Sequence, residues 1–317
     1  MRRVRILPLI LVVALAPLES SGQSLSHVPA AFLDVGLDAR GTAMAGANVV
    51  VARDVAAVVW NPAALASIGS SRQLMLSTTR QLGLVPYHLL AFGQKVAGTP
   101  AAVGATTSGD DVLRENSAFV AAARRVAPFT TAGITLKLYQ ASYGNNASGR
   151  WEIENADRQV RGSAFGAGLD VGVRYVSRKG LAAGFVAKNL FSSVSYNASN
   201  AAGTAKGGSE SLPTEWIVGL GMAATRSTLF ELDLRKATHT DVRDRVAFGA
   251  EQILFEMLAL RAGYAQNLDA AHVERDVTVG GGLALTLPRT GLRVGLDLAY
   301  VISELQNFLH VSFRVAW

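Results

Sequence analysis

The sequence predicts an all-β protein, a transmembrane antiparallel β-barrel of about 14 strands with an N-terminal hatch inside its lumen. From residue 72 onward, apolar residues alternate with small or polar ones at a period of two instead of 3.6. Hydrophobic residues make up 50% of the chain and charged residues only 17%, whereas soluble proteins usually carry about 25% charged residues. The chain also starts with an export signal and contains no cysteine.

Residues 1–22 are predicted to be a secretory signal peptide. Arg2, Arg3 and Arg5 precede an apolar stretch from Ile6 to Leu18, and small residues follow. That stretch is shorter than the roughly 20 residues that a membrane-spanning helix needs, and no later apolar run is longer. The predicted organisation is therefore a signal peptide at 1–22, a hatch at 23–70 and a barrel at 71–317. Export of a barrel predicts the bacterial outer membrane as its location.

Fourteen strands are predicted from the alternation, and counts of twelve or sixteen remain open. They cover residues 72–80, 84–95, 100–108, 116–124, 129–142, 162–176, 180–191, 212–224, 228–236, 243–252, 257–266, 275–286, 291–301 and 307–317. Short connections alternate with longer ones at 109–115, 143–161, 192–211 and 267–274. Short periplasmic turns and long outer loops are typical of outer-membrane barrels.

The two faces of these strands differ as the two sides of a membrane barrel should. Several apolar faces end in aromatic residues, namely Tyr175, Phe185, Tyr300 and Trp317, as expected at a membrane interface. A soluble β-sandwich would also alternate, but the small or charged residues on the opposite faces favour a polar lumen. The predicted inward-facing charges are Asp170, Arg174, Lys188, Glu231, Asp233, Arg235, Arg243, Arg245, Glu251, Arg261, Arg293 and Asp297.

Those charges have two interpretations. They either form a polar channel or docking surface for the hatch, or they pair across strands and hold the wall together; the second is preferred for most of them. Their mixed signs argue against an ion filter. The net charge of +6 comes from scattered basic residues, so no nucleic-acid partner is expected.

No catalytic activity is predicted. His310 and Ser312 lie two apart on one strand, but the alternation points both of them inward, away from lipid. No nucleophile elbow or metal-binding motif is present in the sequence, and the five histidines are scattered. The prediction is a non-enzyme without a cofactor or a metal.

Residues 35–67 read VGLDARGTAMAGANVVVARDVAAVVWNPAALAS and resemble the N-terminal segment of FadL-like outer-membrane barrels, most closely the PorV/PorQ branch. The matching positions are Arg40, Met44, Gly46, Asp54, Trp60, Asn61, Pro62, Ala63 and Leu65. The chain departs from that pattern with Arg53 in place of a first acid and Ala64 in place of a glycine. Phe313, Val315 and Trp317 resemble the terminal signal by which the barrel-assembly machinery recognises such proteins.

In FadL relatives this segment forms a hatch inside the barrel, and the resemblance implies the same here. About 45 residues of this composition are too few for a core of their own, which agrees. Asn61-Pro62 is expected to end a short helix and turn the chain toward the first strand.

Two functions follow from the resemblance. The preferred one is a PorV/PorQ-type component of protein secretion, type IX-like, or of surface assembly, because the loops at 143–161 and 192–211 lack an apolar platform for capturing lipid. The alternative is a FadL-like transporter of hydrophobic small molecules. The expected partners are outer-membrane lipid, the barrel-assembly machinery, and either secretion-system and exported proteins or a hydrophobic ligand.

Overall fold

The computed structural model describes residues 37–317 except 82–84, 111, 146–159, 201–202, 204–206, 239–241, 270–272 and 305. The predicted signal peptide and the first part of the predicted hatch, 23–36, lie outside the described residues. Three short helices come first: α1 (Ala39–Ala43), α2 (Ala57–Trp60) and a 3-10 helix (Pro62–Ile68). Within the described ranges, no helix has the length and apolar character needed to cross a membrane.

Fifteen strands follow in the described part of the chain. They are β1 Gln73–Gln81, β2 Val85–Val96, β3 Thr99–Gly109, β4 Leu113–Ala127, β5 Thr130–Tyr143, β6 Arg161–Val176, β7 Leu181–Ser199, β8 Gly208–Glu210, β9 Glu215–Ala223, β10 Thr228–Ala237, β11 Arg245–Leu254, β12 Leu258–Asn267, β13 Arg275–Thr286, β14 Arg293–Ser303 and β15 Phe308–Ala316. All of them except β8 have a counterpart in the prediction.

The strands close into a barrel. Each pairs antiparallel with its neighbours, β1 pairs with β15, and β7 pairs with both β6 and β9. The short strand β8 pairs only with the far end of β7. The predicted fold class, a 14-stranded antiparallel barrel, is confirmed, with one extra strand outside the closed ring.

The predicted loop at 192–211 is wrong in part. Strand β7 continues to Ser199, and its end forms a hairpin with β8 in which Ser195 lies opposite Ser209. The segment is rich in serine and asparagine, which suggested a loop, but Val194 and Tyr196 still alternate with the serines. Period-two alternation prevailed over composition because hydrogen bonding along the strand extends past the barrel rim.

Alternation separates an apolar outer surface from a buried interior. Leu136 on β5 points outward and is 58% exposed, whereas its neighbour Thr135 points inward and is buried. The aromatic residues expected at the membrane interface also point outward, and Phe185 stacks on Trp216 with 5.8 Å between ring centroids. This arrangement is the one that a lipid environment requires.

The two ends of the barrel differ. At one end, here called the turn end, short turns join β2 to β3, β4 to β5 and β11 to β12, and Arg72 and Trp317 exchange two backbone hydrogen bonds of 2.9 and 3.0 Å. At the other end, here called the loop end, the connections such as the one between β5 and β6 are longer. The turn end is expected to face the periplasm.

Residues 37–70, here called the N-terminal segment, cross the lumen near the turn end. Helix α1 contacts β12 to β15, and the 3-10 helix contacts β3 to β6 on the opposite wall. The predicted stop at Asn61-Pro62 is present, since α2 ends at Trp60. Between Asn61 and β1 the chain forms the 3-10 helix.

Candidate functional site: the N-terminal segment in the lumen

Helix α1 is built around Asp38. One carboxylate oxygen of Asp38 accepts a 3.0 Å hydrogen bond from the Gly41 N–H and caps the helix. The other oxygen accepts a hydrogen bond from the indole N–H of Trp60. After the helix, Gly46 has a φ of +86°, a conformation that favours glycine. The Met44-x-Gly46 part of the motif is thus a tight turn, and Asp38 links helix α1 to Trp60.

Asn61 organises the second half of the segment. Its backbone is extended, its Oδ1 accepts a 3.0 Å hydrogen bond from the Ala63 N–H, and its Nδ2 donates to the Val49 carbonyl at 2.9 Å. Pro62 occupies the first helical position, which suits its missing N–H. Opposite it, β5 carries Gly133, where a Cβ would lie 2.5 Å from the Ala63 nitrogen. Glycine there lets the wall approach the Asn-Pro turn.

Arg40 is held by a carboxylate of the wall. Its guanidinium contacts both oxygens of Glu251 on β11, at 2.9 and 3.4 Å, and also donates to Asn48 Oδ1 and the Val51 carbonyl, each at 3.2 Å. Glu251 further accepts hydrogen bonds from Arg53 at 2.5 Å and Arg261 at 2.7 Å. One buried carboxylate thus binds three arginines, two of them from the N-terminal segment.

The two arginines of the segment differ in electrostatic environment. Burial has the largest single effect on the pKa of Arg40 and lowers it, but Glu251, Asp38 and Asp297 together raise it by more, so the net shift is upward. The pKa of Arg53 is lowered to about 10, first by repulsion from Arg40 and then by burial. Both side chains stay cationic at neutral pH.

Two further carboxylates on β10 bind the backbone of the segment. Asp233 accepts hydrogen bonds from the N–H groups of Asn48 and Val49 at 3.0 and 3.1 Å. Glu231 accepts from the N–H groups of Val50 and Val51 at 2.6 and 3.0 Å. Two wall side chains thus accept hydrogen bonds from the four consecutive backbone N–H groups of residues 48–51. These bonds fix the position of residues 48–51 independently of their side chains.

The ion pairs continue around the wall. Arg261 donates to Asp297 on β14 at 2.7 Å, and Arg314 on β15 pairs with Asp54 of the segment. We call Glu231, Asp233, Glu251, Arg261, Asp297 and Arg314 the charged sector. Of the predicted inward-facing charges, Arg261 and Asp297 do pair across strands as preferred, but Glu231 and Asp233 bind the segment instead. Arg243 lies in the connection before β11, where it contacts Glu274 at 2.6 Å.

His310 and Ser312 belong to a hydrogen-bond chain between wall and segment. Thr42 Oγ1 lies 3.1 Å from His310 Nδ1, and His310 Nε2 lies 2.9 Å from Ser77 Oγ. Ser312 Oγ lies 2.6 Å from Ser77 Oγ and accepts a 2.7 Å hydrogen bond from the Ala39 N–H. Both residues point inward as predicted, and their contacts give them a role in positioning α1.

The opposite wall carries a hydrophobic cluster. We call the buried hydrophobic residues of β1 to β4 the apolar sector: Met75, Leu89, Ala91, Ala102, Phe119, Ala121 and Ala123. The same strands also bury polar side chains, namely Gln73, Ser77, Thr79, Thr106, Ser108 and Ser117. The residues of the apolar sector form one hydrophobic cluster with Val55, Leu65 and Ile68 of the N-terminal segment. Hydrogen bonds on this side are fewer. Thr131 Oγ1 donates to the Ala63 carbonyl at 3.0 Å, and the predicted inward-facing Arg174 of β6 donates to Ser67 Oγ at 2.6 Å.

A second apolar cluster lies nearer the loop end. Tyr139 and Leu212 are buried there, with Tyr87 and Val194 packed against them. Leu212 follows β8, and its N–H donates to Ser192 Oγ at 3.0 Å. We call these four residues the loop-end cluster. This cluster lies on the same side of the lumen as the apolar sector but nearer the loop end, because Tyr87 and Tyr139 lie toward the loop end on β2 and β5.

The nine motif residues divide between the two walls. Arg40, Met44, Gly46 and Asp54 lie toward the charged sector, where Met44 packs against Gly249 of β11. Asn61, Pro62, Ala63 and Leu65 lie toward β1 to β6. Trp60 lies between the two groups, with Lys188 Nζ 5.7 Å from its ring centroid. Sequence reasoning missed Asp38 and Thr42, although an aspartate before Ala-Arg-Gly is a helix-capping signal.

The predicted insertion signal lies on the outer surface. Phe313 and Trp317 point outward, and Trp317 lies 6.2 Å from the ring of Phe92 on β2. Recognition by the assembly machinery stays a prediction. In the described part of the chain, no group of three or more His, Asp or Glu side chains is arranged to hold a metal ion.

No protein-family model matches this chain, and no curated protein matches it. Solved structures do share its fold. The "CymD monoaromatic hydrocarbon channel" superposes with a TM-score of 0.61 at 14% identity, covering 89% of this chain and 97% of that one. A FadL homologue of Pseudomonas aeruginosa gives 0.59 at 12% identity, covering 89% and 98%. The toluene transporter TodX of Pseudomonas putida gives 0.54 at 13% identity, covering 82% and 92%.

Proposed function

We propose that this protein is an outer-membrane channel for hydrophobic small molecules and that its N-terminal segment is the hatch of that channel. The observation that carries the proposal is the apolar sector, which lies below the loop-end cluster and is closed at the turn end by Leu65 and Ile68. The interior of a water-filled barrel is polar, whereas this cluster is hydrophobic. The shared fold with hydrocarbon channels supports the same function.

The two walls suggest how the channel opens. A hydrophobic ligand that enters at the loop end meets the loop-end cluster and then the inner face of β1 to β4. The ligand can replace the contacts that Leu65 and Ile68 make with the apolar sector at little cost in free energy, because the ligand and the two side chains are all apolar. The ion pairs of Arg40 and Asp54 offer no such exchange, since breaking one leaves a buried charge unpaired. The segment therefore swings from the apolar sector while the charged sector holds it.

The secretion function stays a prediction that rests on residues 35–67 and on the loops. The loop at 192–211 is shorter than predicted, because residues 192–199 belong to β7 and 208–210 to β8. The fold comparisons favour the transport alternative. The outer membrane is the expected location of either protein.

The test is uptake of a hydrophobic solute by a bacterial host that lacks its own transporter for it. Toluene and a long-chain fatty acid are the two probes. We expect uptake of at least one with the unaltered protein, and loss with Leu89→Gln, which places an amide on the inner wall. Leu90→Gln, next to it on the outer face, is the matched control and should keep uptake. Failure to transport either probe, together with a secretion defect when the gene is deleted in its own host, would favour the secretion function.

A further inference from the structure

The outer face of the barrel carries a groove that the channel function does not use. A cavity of about 820 Å³ opens on the lipid-facing surface of β1 to β6 and β15. Its floor contains the small residues Ala105 and Ala118, and its rim contains bulkier ones such as Leu90, Leu138, Phe165 and Phe313. Small side chains between large ones create a depression in a surface that is otherwise convex. An acyl chain has the shape and polarity to fill it.

A row of polar side chains crosses this groove. Thr78, His88, Thr107, Asn116 and Gln140 lie directly opposite one another on β1 to β5, all on the outer face. Neighbouring strands are about 4.8 Å apart, so the row spans roughly 19 Å. The row two residues nearer the turn end is entirely apolar, from Leu76 and Leu90 through Ala105 and Ala118 to Leu138.

The polar row keeps hydrogen-bonding capacity for a ligand. Thr78 Oγ1 lies 3.0 Å from His88 Nδ1, and Asn116 Nδ2 donates to Gln140 Oε1 at 2.6 Å. These pairs use one ring nitrogen of His88 and one donor of Asn116. The second ring nitrogen of His88 and the amide N–H groups of Gln140 have no partner among the described residues. Polar groups that face a membrane need partners, because hydrocarbon offers none.

Two arginines stand above the row. Arg80 follows Thr78 by two residues on β1, and Arg114 precedes Asn116 by two on β4, so both lie on the outer face toward the loop end. Both side chains are exposed, and neither forms an ion pair with another described residue. From the turn end to the loop end, the groove is thus apolar, then neutral polar, then cationic.

We infer that this groove binds one anionic, phosphate-bearing lipid of the membrane leaflet at the loop end. An acyl chain lies over Ala105 and Ala118, the ester or amide groups of the lipid hydrogen-bond to the polar row, and the phosphate pairs with Arg80 and Arg114. The order of the three zones matches the order of groups along such a lipid, and the arginines are complementary to its charge. The inference is independent of what passes through the lumen.

Native mass spectrometry of the full-length mature protein tests this site. The protein is released from detergent after incubation with phosphatidylglycerol or with phosphatidylcholine of the same chains. We expect one tightly retained phosphatidylglycerol and weaker retention of phosphatidylcholine. Ala118→Phe fills the floor and should reduce retention of both by about tenfold. Ala122→Phe, on the same face of β4 but outside the groove, is the control. Each variant is checked for the gel-mobility shift of a folded barrel.

The charge contribution is tested separately. Arg80→Gln with Arg114→Gln should remove the preference for phosphatidylglycerol but keep acyl binding, whereas Arg124→Gln, at the turn end of β4, should leave the preference intact. Equal retention by Ala118→Phe and the unaltered protein would overturn the inference. So would an unchanged preference in the double arginine variant, or a dimer formed through this face that Ala118→Phe disrupts.

Discussion

The two walls that enclose the N-terminal segment bind it by different physical means. On the charged sector, Glu231 and Asp233 accept hydrogen bonds from four consecutive backbone N–H groups, and Glu251 binds Arg40 and Arg53. On the apolar sector, Leu65 and Ile68 pack against side chains of β1 to β4. Charge-paired contacts are directional and costly to break singly, while apolar contacts are non-directional and open to any apolar competitor.

The difference indicates which side of the segment can move. A ligand of the class that we propose competes with the apolar contacts but not with the ion pairs of the charged sector. We propose that the charged sector then serves as a hinge, because its ion pairs hold the segment in place. Substitutions that alter one sector at a time should therefore have distinct effects on stability and on transport.

Removing the central carboxylate should have the largest effect. Glu251→Ala leaves Arg40, Arg53 and Arg261 without their shared partner, and we expect the free energy of unfolding to fall by roughly 3–5 kcal/mol. Urea unfolding in lipid vesicles measures this. Glu304→Ala, on an exposed connection, is the control. A change as small as that of the control would mean that the charged sector does not anchor the segment.

Shortening the apolar contact should destabilise by a comparable or smaller amount but raise transport. Leu65 is fully buried, and Leu65→Ala should cost about 2–5 kcal/mol. Because the hinge is intact, uptake of the hydrophobic probe should increase. Leu76→Ala, on the outer face of β1, serves as the control. Decreased uptake by a folded Leu65→Ala barrel would argue against displacement of the 3-10 helix.

The outer faces of both sectors should respond alike. Val120 on β4 and Leu296 on β14 both face lipid, and an arginine at either site should cost about 2–4 kcal/mol if the site lies near the membrane midplane. Unfolding from vesicles compares Val120→Arg with Leu296→Arg. A similar loss in the free energy of unfolding for the two variants would mean that the sectors differ only on their inner faces. No loss in either variant would contradict a lipid-facing outer surface.

Single neutral hydrogen bonds should matter least, and equally on the two sides. Thr131 donates to the Ala63 carbonyl at 3.0 Å, and Thr278 donates to the Ala43 carbonyl at 2.9 Å. Thr131→Val and Thr278→Val should each lower the free energy of unfolding by about 1 kcal/mol. A much larger loss at either position would show that the comparison of ion pairs with apolar contacts omits a major contribution.

The barrel was predictable from sequence because its signal is local. Alternation along β15, from Leu309 to Trp317, indicates which side chains face lipid, and fourteen such stretches give the ring. The β7–β8 hairpin was missed because Ser193 and Ser195 look like loop residues when composition is read without their alternating partners. Which strands pair was then settled by order along the chain.

The site was predictable only as a set of residues. The motif from Arg40 to Leu65 could be recognised, but its partners lie far away in sequence, as Glu251 is 211 residues from Arg40. Alternation identified Glu231 and Asp233 as inward-facing. Their partners are backbone N–H groups, which every residue except proline carries, so the sequence could not identify those partners. The division into two sectors depends on how the segment crosses the lumen, which is a tertiary property.

The hinge is tested most directly by locking one side of the segment at a time. The chain has no native cysteine, so engineered pairs form a single disulfide. On the side of the apolar sector, a Cβ at Gly93 of β2 would lie 3.0 Å from Val55 Cγ2 of the segment. On the side of the charged sector, a Cβ at Gly221, which lies opposite Glu231, would lie 3.6 Å from Val50 Cβ. The Cβ atoms of a disulfide are about 3.5–4.5 Å apart. The distance for Gly221 and Val50 falls in that range. For Gly93 and Val55 the measured atom is Val55 Cγ2, which is one bond away from the Val55 Cβ, so the distance between the two Cβ atoms differs from 3.0 Å by at most one bond length.

Uptake of the hydrophobic probe is then measured for both double variants, oxidised and reduced. With Val55→Cys and Gly93→Cys, oxidation should abolish uptake and reduction should restore it, because the part of the segment that packs on the apolar sector can no longer leave the wall. With Val50→Cys and Gly221→Cys, oxidation should leave uptake unchanged, because that side never moves. Loss of uptake on locking the second pair, or full uptake with the first pair oxidised, would contradict the account.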